Sequence, residues 1–480
     1  MDMDFESAYQ ALASRDRRFD GLIYVGVAST GIYCRIVCNS RRPLRRNCSF
    51  FAHPAEAEQA GFRPCLRCRP ELAPGNARVD AGNRLAAALA RRIEEGALNA
   101  MDAPALAAEM GISDRHLRRV IQQAYGVSAN KLLETQRLLT AKMLLTDTPM
   151  PVTEIAFASG FSSLRRFNDA FKANYRLNPT QFRGRSKAGE ERLDRAARAQ
   201  GFVFRLGYRP PLDWEALLDF LGRRLFAGVE AVEGRAYWRT VSLARRTGWI
   251  RVHHDAPRHA LAVEIAPGLG RAIPSVLTRV RRLFDLGAEP ERIRSRLGRI
   301  AAKQPGLRLP GAFDGYEVAI RAILGQQISV KAASTLAGRF AQAFGKPASA
   351  PLPGLGLHMP EAVDVARVRE ATMMKIGVTS ARARTLIGVS RAMARDPGLL
   401  EPGADIDAAL ARIKQLPGIG EWTAQYLAMR AFSWPDAFPA GDLGIRKALG
   451  MTRERDIIAR AEDWRPWRSY AAMHLWRSLS

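Results

Sequence analysis

Residues 416–424 read Leu-Pro-Gly-Ile-Gly-Glu-Trp-Thr-Ala, which predicts a helix, a tight hairpin turn and a second helix. The two glycines of the turn, Gly418 and Gly420, allow backbone N–H groups to approach a phosphate at the start of the second helix. A turn of this kind contacts the DNA backbone without reading its sequence. On its own it indicates DNA binding and no particular reaction.

Further along the chain, residues 439–442 (PAGD) place Asp442 in a Gly/Pro-rich loop at the start of another helix. Taken alone, such an aspartate is often an N-cap. The surrounding sequence resembles AlkA-type 3-methyladenine DNA glycosylase II over most of 201–480, at 283–285 (LFD), 305–311 (PGLRLPG), 322–330 (AILGQQISV) and 467–470 (WRSY). The resemblance implies an N-terminal α/β domain similar to half a TATA-binding protein, followed by a helical helix-hairpin-helix domain.

The same resemblance makes Asp442 the catalytic carboxylate. Cleavage of the bond at C1′ develops an oxocarbenium ion, which a fixed anion stabilises; the anion can also orient the attacking water. The family's pocket is aromatic and favours electron-poor flipped bases by stacking and cation–π contact. The matching positions are Phe220, Trp422, Tyr426 and Trp476. Core packing is the alternative role for these side chains, and for Phe220 the two roles have equal weight.

Departures from the family pattern sharpen the expected chemistry. Trp422 stands where bifunctional relatives carry a Schiff-base lysine, which favours hydrolysis without strand cleavage. Gln327 replaces an intercalating leucine, so a polar side chain would fill the vacated stack, and Leu443 replaces a tyrosine beside the acid. The sequence has no cysteine beyond Cys68 for an iron–sulfur loop. It also lacks the Pro-Cys-His-Arg-Val motif of an O6-methylguanine transferase.

All five cysteines fall between Cys34 and Cys68. The pairs Cys34-x3-Cys38 and Cys65-x2-Cys68 predict a tetrahedral four-sulfur site for one Zn²⁺. Cys48 is left over and is most simply a buried apolar thiol. Spacing alone leaves open a purely structural zinc module.

The residues around these cysteines resemble the Ada-type methylphosphotriester domain over most of 5–72, at 26–35 (GVASTGIYCR), 44–47 (LRRN) and 60–70 (AGFRPCLRCRP). The resemblance implies that Cys34 is both a zinc ligand and the methyl acceptor, in a stoichiometric reaction. Zinc would keep the thiol ionised, and methylation would remove one negative charge from the site. The protein would then repel DNA less, so that damage becomes a binding signal. Ile36 and Val37 replace the family's common Pro-Ser, which alters the loop rather than the ligands.

Two copies of a helix-turn-helix pattern follow the cysteine module. The first has helices at 106–110 and 113–124 around Gly111, with Ser113 as a cap; the second has helices at 152–159 and 162–174 around Gly160. The second copy resembles the AraC-type regulator signature, and the resemblance covers about 80–183. It implies two recognition helices in successive major grooves. The arginines that would contact bases or phosphates are Arg115, Arg118, Arg119, Arg165 and Arg166.

Short strands are predicted at 202–206, 237–241, 249–253 and 261–265, with a helix from Asp213 to Arg224 capped by Asp213. The fold class is therefore multidomain and mostly α with a small α+β part. The predicted domains are a zinc module (1–75), a tandem helix-turn-helix (80–183), a polar linker (184–200), an α/β domain (201–270) and a helix-hairpin-helix glycosylase domain (271–480). A flexible linker of this composition leaves the two halves free to move independently.

Charge agrees with this assignment. There are 73 Lys+Arg against 47 Asp+Glu, a net charge of +26, which favours a polyanionic partner. We expect double-stranded DNA, both damaged and promoter, as partner, together with RNA polymerase. We also expect a monomer without membrane attachment, located in the cytoplasm at the nucleoid.

The sequence thus predicts an adaptive-response regulator that is also a base-excision enzyme. One alternative is a transcription factor whose glycosylase-like half binds DNA but is inactive. A second is an enzyme for which residues 1–183 serve only as a DNA tether.

Overall fold

A computed structural model describes residues 4–74, 85–86, 89, 103–109, 112–184, 201–401 and 406–479. The predicted linker beyond Gly184 and the turn at Gly111 lie outside the described residues. No described helix combines the length and apolar character needed to cross a membrane.

The cysteine module is a small sheet flanked by two helices. Its sheet has the order β3-β1-β2-β4, antiparallel except for the β2–β4 pair. Tyr33 is fully buried on β2, and Cys34 follows it on the same strand. The elements are α1 (Phe5–Ser14), β1 (Tyr24–Val27), β2 (Ile32–Arg35), β3 (Cys48–Phe51), α2 (Pro54–Gln59) and β4 (Arg63–Pro64).

A helical region follows, with its two helix-turn-helix units joined by one long helix. Ser113 and Ser163 cap the second helix of each unit, because each side chain accepts from the backbone N–H group three residues on. The predicted turn at Gly160 is confirmed, and its φ of +89° is a left-handed backbone conformation that favours glycine. The helices are α3 (Ala103–Glu109), α4 (Asp114–Tyr125), α5 (Ala129–Asp147), α6 (Val152–Ala158), α7 (Leu164–Tyr175) and α8 (Pro179–Gly184).

The next part of the chain is a five-stranded antiparallel sheet, in the order β5-β9-β8-β7-β6, with one helix after its first strand. The four predicted strands are confirmed, and so is capping by Asp213, which accepts from the Ala216 N–H at 2.9 Å. The edge strand β6 was missed because its sequence, EAVE, is half acidic. The elements are β5 (Phe202–Gly207), α9 (Trp214–Gly222), β6 (Glu230–Glu233), β7 (Ala236–Leu243), β8 (Arg246–Asp255) and β9 (Ala260–Ile265).

The remainder is helical, as predicted. One small antiparallel pair, β10 (Lys346–Pro347) with β11 (Leu357–His358), interrupts it. The helices are α10 (Ile273–Leu283), α11 (Pro290–Leu297), α12 (Arg299–Ala302), α13 (Gly315–Leu324), α14 (Val330–Phe344), α15 (Ala362–Val365), α16 (Glu370–Met374), α17 (Ser380–Arg395), α18 (Ile406–Lys414), α19 (Glu421–Arg430), α20 (Leu443–Leu449), α21 (Glu454–Glu462) and α22 (Arg468–Arg477).

The two halves pack against each other, contrary to the expectation of independent movement. One continuous apolar core runs from Leu138 in α5 to Leu475 in α22. Polar contacts join the cysteine module to the same body. Arg209, 1% exposed, donates to the Asp20 carbonyl, and Arg281 donates to the Ala73 carbonyl at 2.8 Å. The prediction that the polar linker leaves the two halves free to move independently was therefore wrong, because they share one core.

Two buried ion pairs fix the cysteine module to α5. Lys142 meets Glu71 at 2.6 Å, and Arg69 meets Asp147 at 2.5 Å. Lys142 also donates to the Cys65 carbonyl at 3.1 Å. Charges this deeply buried depend on their partners, because neither can recover its hydration in place.

Lys142→Met is expected to lower the free energy of unfolding by about 3–5 kcal/mol, because it leaves the Glu71 carboxylate buried without its nearest cation. Urea unfolding followed by circular dichroism measures this. The matched control is Arg294→Met, which breaks the exposed pair with Glu291 and should leave the free energy of unfolding almost unchanged, because solvent screens that pair. Equal losses for the two variants would contradict the prediction.

Candidate functional site

The glycosylase-like half contains a cavity of about 520 Å³. It opens between α9, α13, α19, α20 and α22. Five of the predicted site residues line it: Phe220, Trp422, Tyr426, Asp442 and Trp476. Residues that lie up to more than 250 positions apart in the sequence, such as Phe220 and Trp476, therefore line the same cavity.

Asp442 is held by three N–H donors. The backbone N–H of Ile445 donates to Oδ1 at 3.0 Å, which makes Asp442 the N-cap of α20. The indole N–H of Trp476 donates to the same oxygen at 2.8 Å, and that of Trp422 donates to Oδ2 at 2.9 Å. The capping role and a role in the cavity therefore coexist. Because all three donors are neutral, they orient the carboxylate without cancelling its charge.

Aromatic rings form the walls beside this carboxylate. Trp422 and Tyr426 are one helical turn apart on α19, and their rings stack at a centroid distance of 5.3 Å with 10° between planes. The Trp476 ring is tilted by 48° at 6.4 Å from that of Tyr426. Phe220 is 9% exposed and lines the cavity, so its packing and pocket roles are not exclusive.

Arginines at the cavity were missed by the sequence analysis. Arg224 and Arg321 line it, and the Arg224 guanidinium carbon lies 3.9 Å from the Phe220 ring centroid. Behind them, Arg430 donates to the Tyr426 hydroxyl at 2.9 Å. The available signal was the spacing of Arg224, which lies four residues after Phe220 in the predicted helix.

The mouth of the cavity carries exposed aliphatic side chains: Ile328, Val330, Leu443 and Leu479. Gln327 is not among the lining residues. It is exposed, has φ +56°, and lies in the turn between α13 and α14, beside Ile328. Ile328 could have been singled out from the sequence as the apolar neighbour of a polar residue at a wedge position.

The hairpin turn precedes α19, and Gly420 is the N-cap residue of that helix. Gly418 has φ +84°, and a Cβ placed there would lie 2.0 Å from Thr385 Oγ1. The turn therefore requires glycine at this position for both backbone and steric reasons. The same turn holds the start of α19, which carries Trp422 and Tyr426 into the cavity.

The four predicted zinc ligands come together. The sulfurs of Cys34, Cys38, Cys65 and Cys68 all lie within 4.8 Å of one another. Zn–S bonds of about 2.3 Å in a tetrahedron place neighbouring sulfurs about 3.8 Å apart, so the donor set fits one Zn²⁺. Cys48 is outside this group and buried, as predicted; its sulfur lies 3.5 Å from the Leu44 carbonyl.

Neighbouring groups shape this cluster. Contact with Cys38 raises the pKa of the Cys34 thiol, whereas contact with Cys34 lowers the pKa of Cys38. The Arg35 backbone N–H donates to Cys68 Sγ at 3.3 Å, and the Ser40 hydroxyl lies 3.1 Å from Cys38 Sγ. Such N–H and O–H contacts disperse the negative charge of thiolates.

The predicted DNA-contacting arginines of α4 and α7 are all exposed: Arg115, Arg118, Arg119, Arg165 and Arg166. Arg118 is paired with Asp114 one turn earlier on the same helix, at 2.8 Å. The exposed faces of both helices are therefore basic and accessible to a polyanion.

Zinc binding should depend on the cluster and not on Cys48. The wild-type chain is expected to carry one zinc ion, Cys65→Ala to lose it because a tetrahedral site lacks a donor, and Cys48→Ala to retain it. Elemental analysis of purified protein measures the stoichiometry. Zinc loss in the Cys48 variant would contradict the assignment of ligands.

Four family models match consecutive parts of the chain. It matches the metal binding domain of Ada over residues 7–71 and a helix-turn-helix domain over 106–185. It matches the AlkA N-terminal domain over 203–314 and the HhH-GPD superfamily of base excision DNA repair proteins over 320–462.

Similar proteins cover the whole chain or its second half. A probable bifunctional transcriptional activator/DNA repair enzyme AlkA of Mycobacterium tuberculosis is 37% identical, over 99% of this chain and 97% of its own length. DNA-3-methyladenine glycosylase 2 of Escherichia coli is 34% identical, over 57% of this chain and 96% of its length. The solved 3-methyladenine DNA-glycosylase of Archaeoglobus fulgidus matches 57% of this chain and 97% of its own, with a TM-score of 0.50 and 19% identity, a likeness of fold.

Proposed function

This chain belongs to the family of bifunctional transcriptional activator/DNA repair enzymes that join an Ada-type metal-binding domain and a helix-turn-helix to an AlkA-type glycosylase. We propose that its cavity hydrolyses the N-glycosidic bond of alkylated bases in DNA without cutting the strand. We further propose that Cys34 accepts a methyl group from DNA methylphosphotriesters once per molecule. The observation that carries the first proposal is the Asp442 carboxylate fixed between two indole N–H groups in an aromatic cavity.

The geometry supplies the groups that hydrolysis requires. A base flipped from the helix enters the cavity between the rings of Trp422, Tyr426 and Trp476. As the bond between C1′ and the base nitrogen breaks, its electron pair leaves with the base, and Asp442 stabilises the positive charge on the sugar. A water molecule then adds to C1′ and releases a proton. Trp422 occupies the place where a lysine would form a Schiff base, which supports hydrolysis over strand cleavage.

Contacts with the surrounding duplex come from two elements. The turn at Gly418 and Gly420 offers backbone N–H groups to a phosphate at the start of α19. Gln327 and Ile328 are proposed to enter the space that the flipped base vacates, with the exposed Ile328 as the apolar part of the wedge. Leu443, 66% exposed beside Asp442, is proposed to contact the deformed strand.

The cysteine cluster supplies a different reaction. Bound zinc keeps the four sulfurs ionised at neutral pH. In the proposed transfer, the Cys34 sulfur forms a bond to the methyl carbon while the carbon–oxygen bond of the triester breaks. The phosphate regains its negative charge, and the cysteine becomes a neutral thioether. The loss of one negative charge near DNA strengthens promoter binding through α4 and α7, where Arg115, Arg119 and their counterparts would contact DNA. We also propose that the protein acts at the nucleoid and that RNA polymerase is its partner at such promoters.

The alternatives make different use of the same structure. An inactive glycosylase-like half would not require the paired Trp422 and Trp476 contacts to Asp442, and their presence favours an active enzyme. A passive DNA tether would not require four converging cysteines. A purely structural zinc module remains the alternative for that cluster, and it predicts no methyl transfer to Cys34.

Asp442→Asn should reduce the single-turnover rate of base release from alkylated duplex DNA by about 10²–10³-fold, because the side chain keeps its shape but loses its charge. Release is measured as free base by chromatography, in zinc-loaded and zinc-free protein. The control Asp463→Asn changes an exposed carboxylate paired with Arg460 and should leave the rate unchanged. Absence of release from folded wild type would refute the enzymatic proposal.

Cys34→Ser should abolish transfer of a radiolabelled methyl group from methylphosphotriester DNA to the protein, because serine offers no thiolate. Cys48→Ser is the control and should accept label as wild type does. Promoter footprinting before and after exposure to methylated DNA tests the switch. Label on a cysteine other than Cys34, or a footprint that methylation does not change, would contradict the respective part of the proposal.

A further inference from the structure

The glycosylase half places a short segment beside the second helix-turn-helix unit. The short helix Pro267–Ala272 lies against α6, the helix that precedes the second recognition helix, α7. A Cβ placed on Gly270 would lie 3.6 Å from the sulfur of Met150, in the loop before α6. When a helix-turn-helix binds DNA, the helix before the recognition helix crosses the DNA backbone. Residues of the glycosylase half that lie next to α6 are therefore close to the path of bound DNA.

The hairpin that joins β7 to β8 reaches the same place. Its turn is tight and consists of Ala244 and Arg245. At the base of this turn, a Cβ placed on Gly268 would lie 2.6 Å from the carbonyl oxygen of Thr247. The tip of the hairpin is thus held against the short helix Pro267–Ala272, which in turn lies against α6.

Three arginines on these two segments are called here the hairpin patch: Arg245, Arg246 and Arg271. All three are exposed, and within the part of the chain that the structure describes none of them forms an ion pair with a carboxylate. Arg251, further along β8, differs because it pairs with Glu264 at 2.7 Å. The hairpin patch therefore presents positive charge that is open to a polyanion.

The backbone of the turn does not favour the residues that occupy it. Ala244 has φ +48° and Arg245 has φ +61°. A two-residue hairpin turn with positive φ at both positions is most often Asn-Gly, because these residues adopt that conformation with little strain. An arginine in such a position points to a role for its side chain rather than for its backbone.

We propose that the hairpin patch binds DNA phosphates next to the groove that α7 enters, so that the glycosylase half forms part of the promoter-binding surface. The proposal rests on the promoter binding proposed above. Two observations select DNA as the occupant. The charge of the patch is complementary to phosphate, and through α6 the patch continues the basic surface of α7, where Arg165 and Arg166 are exposed.

The expected contribution is to affinity and not to sequence preference. Guanidinium N–H groups bind phosphate oxygens in pairs, and such contacts position a protein on the duplex without reading its bases. The patch is also separate from the glycosylase cavity, because none of its three arginines lines that cavity. Loss of the patch should therefore weaken promoter binding and leave base excision unchanged.

The test uses a duplex that the full-length, zinc-loaded protein enriches from a random-sequence pool after exposure to methylated DNA. Two shortened versions each lack about ten flanking base pairs at one end, which is one turn of DNA. The double variant Arg245→Ala/Arg246→Ala is compared with wild type. The matched control is Arg235→Ala, which removes an exposed arginine that pairs with Glu215 at the opposite end of β7. Thermal unfolding and base release from alkylated duplex verify the fold of each variant.

The double variant should bind the full duplex about tenfold more weakly than wild type at moderate salt. The slope of log affinity against log salt concentration should become shallower by about two, because each lost phosphate contact removes about 0.9. On one shortened duplex, which lacks the flank next to the second helix-turn-helix unit, wild type and double variant should bind alike. On the other shortened duplex the difference should persist, and Arg235→Ala should match wild type on all three.

Unchanged affinity and salt slope in the double variant would overturn the proposal and leave the patch to an acidic protein surface. A loss of equal size on all three duplexes would also overturn it, because the arginines would then not act on the flank beside α7. In both cases promoter binding by the helix-turn-helix units would stand. Wild type that enriches no sequence would remove promoter binding and this inference together.

Discussion

Three parts of the chain meet at Glu71. Its carboxylate, almost fully buried, is held by Lys142 of α5 and by Arg69 of the cysteine module, while its backbone carbonyl accepts from Arg281 of α10. A charge in such a place is tolerated only while its partners remain. Glu71 and its neighbours thus hold three parts of the chain in fixed positions relative to one another. These parts are the cysteine module, the helix-turn-helix region and the glycosylase half.

The zinc ligands are tied into the same framework. Lys142 bonds the Cys65 carbonyl as well as Glu71. On the other side of the cluster, the backbone of Arg35 contacts Cys68 while its guanidinium pairs with Asp20, whose carbonyl accepts from Arg209 of the glycosylase half. Any rearrangement of the ligand loops must therefore strain contacts that reach both neighbouring modules.

The features that could be predicted from the sequence are those determined by residues close together in the chain. Capping by Asp213 and Ser113, the glycine at position 160 and the converging cysteines depend on residue types at short spacing, and all are confirmed. The carboxylate and aromatic residues of the cavity came from resemblance to a family, which carries long-range information that composition lacks. Their contacts with one another were not deducible, since Phe220 and Trp476 are far apart in the chain.

Contacts between residues far apart in the chain could not be predicted from the sequence. Arg209 and the Asp20 carbonyl are separated by 189 residues, and nothing near either one signals the other. The strand β6 was missed because an edge strand keeps polar residues toward solvent, which weakens the alternating pattern. The cavity arginines Arg224 and Arg321 were missed because arginine abounds in this basic chain, and they differ from surface arginines only in what surrounds them.

The shared core between the halves has an evolutionary consequence. Met150 of the regulator half packs near Gly270 and Phe202 of the enzyme half, in the same apolar body as α6 and the short helix Pro267–Ala272. If the gene were divided at the linker, each product would present part of that apolar surface to water and to other proteins. Separation would therefore be opposed by aggregation before any loss of regulation could matter. Once the contact between two fused domains has become part of a shared hydrophobic core, separating the domains again is difficult because each would expose apolar surface.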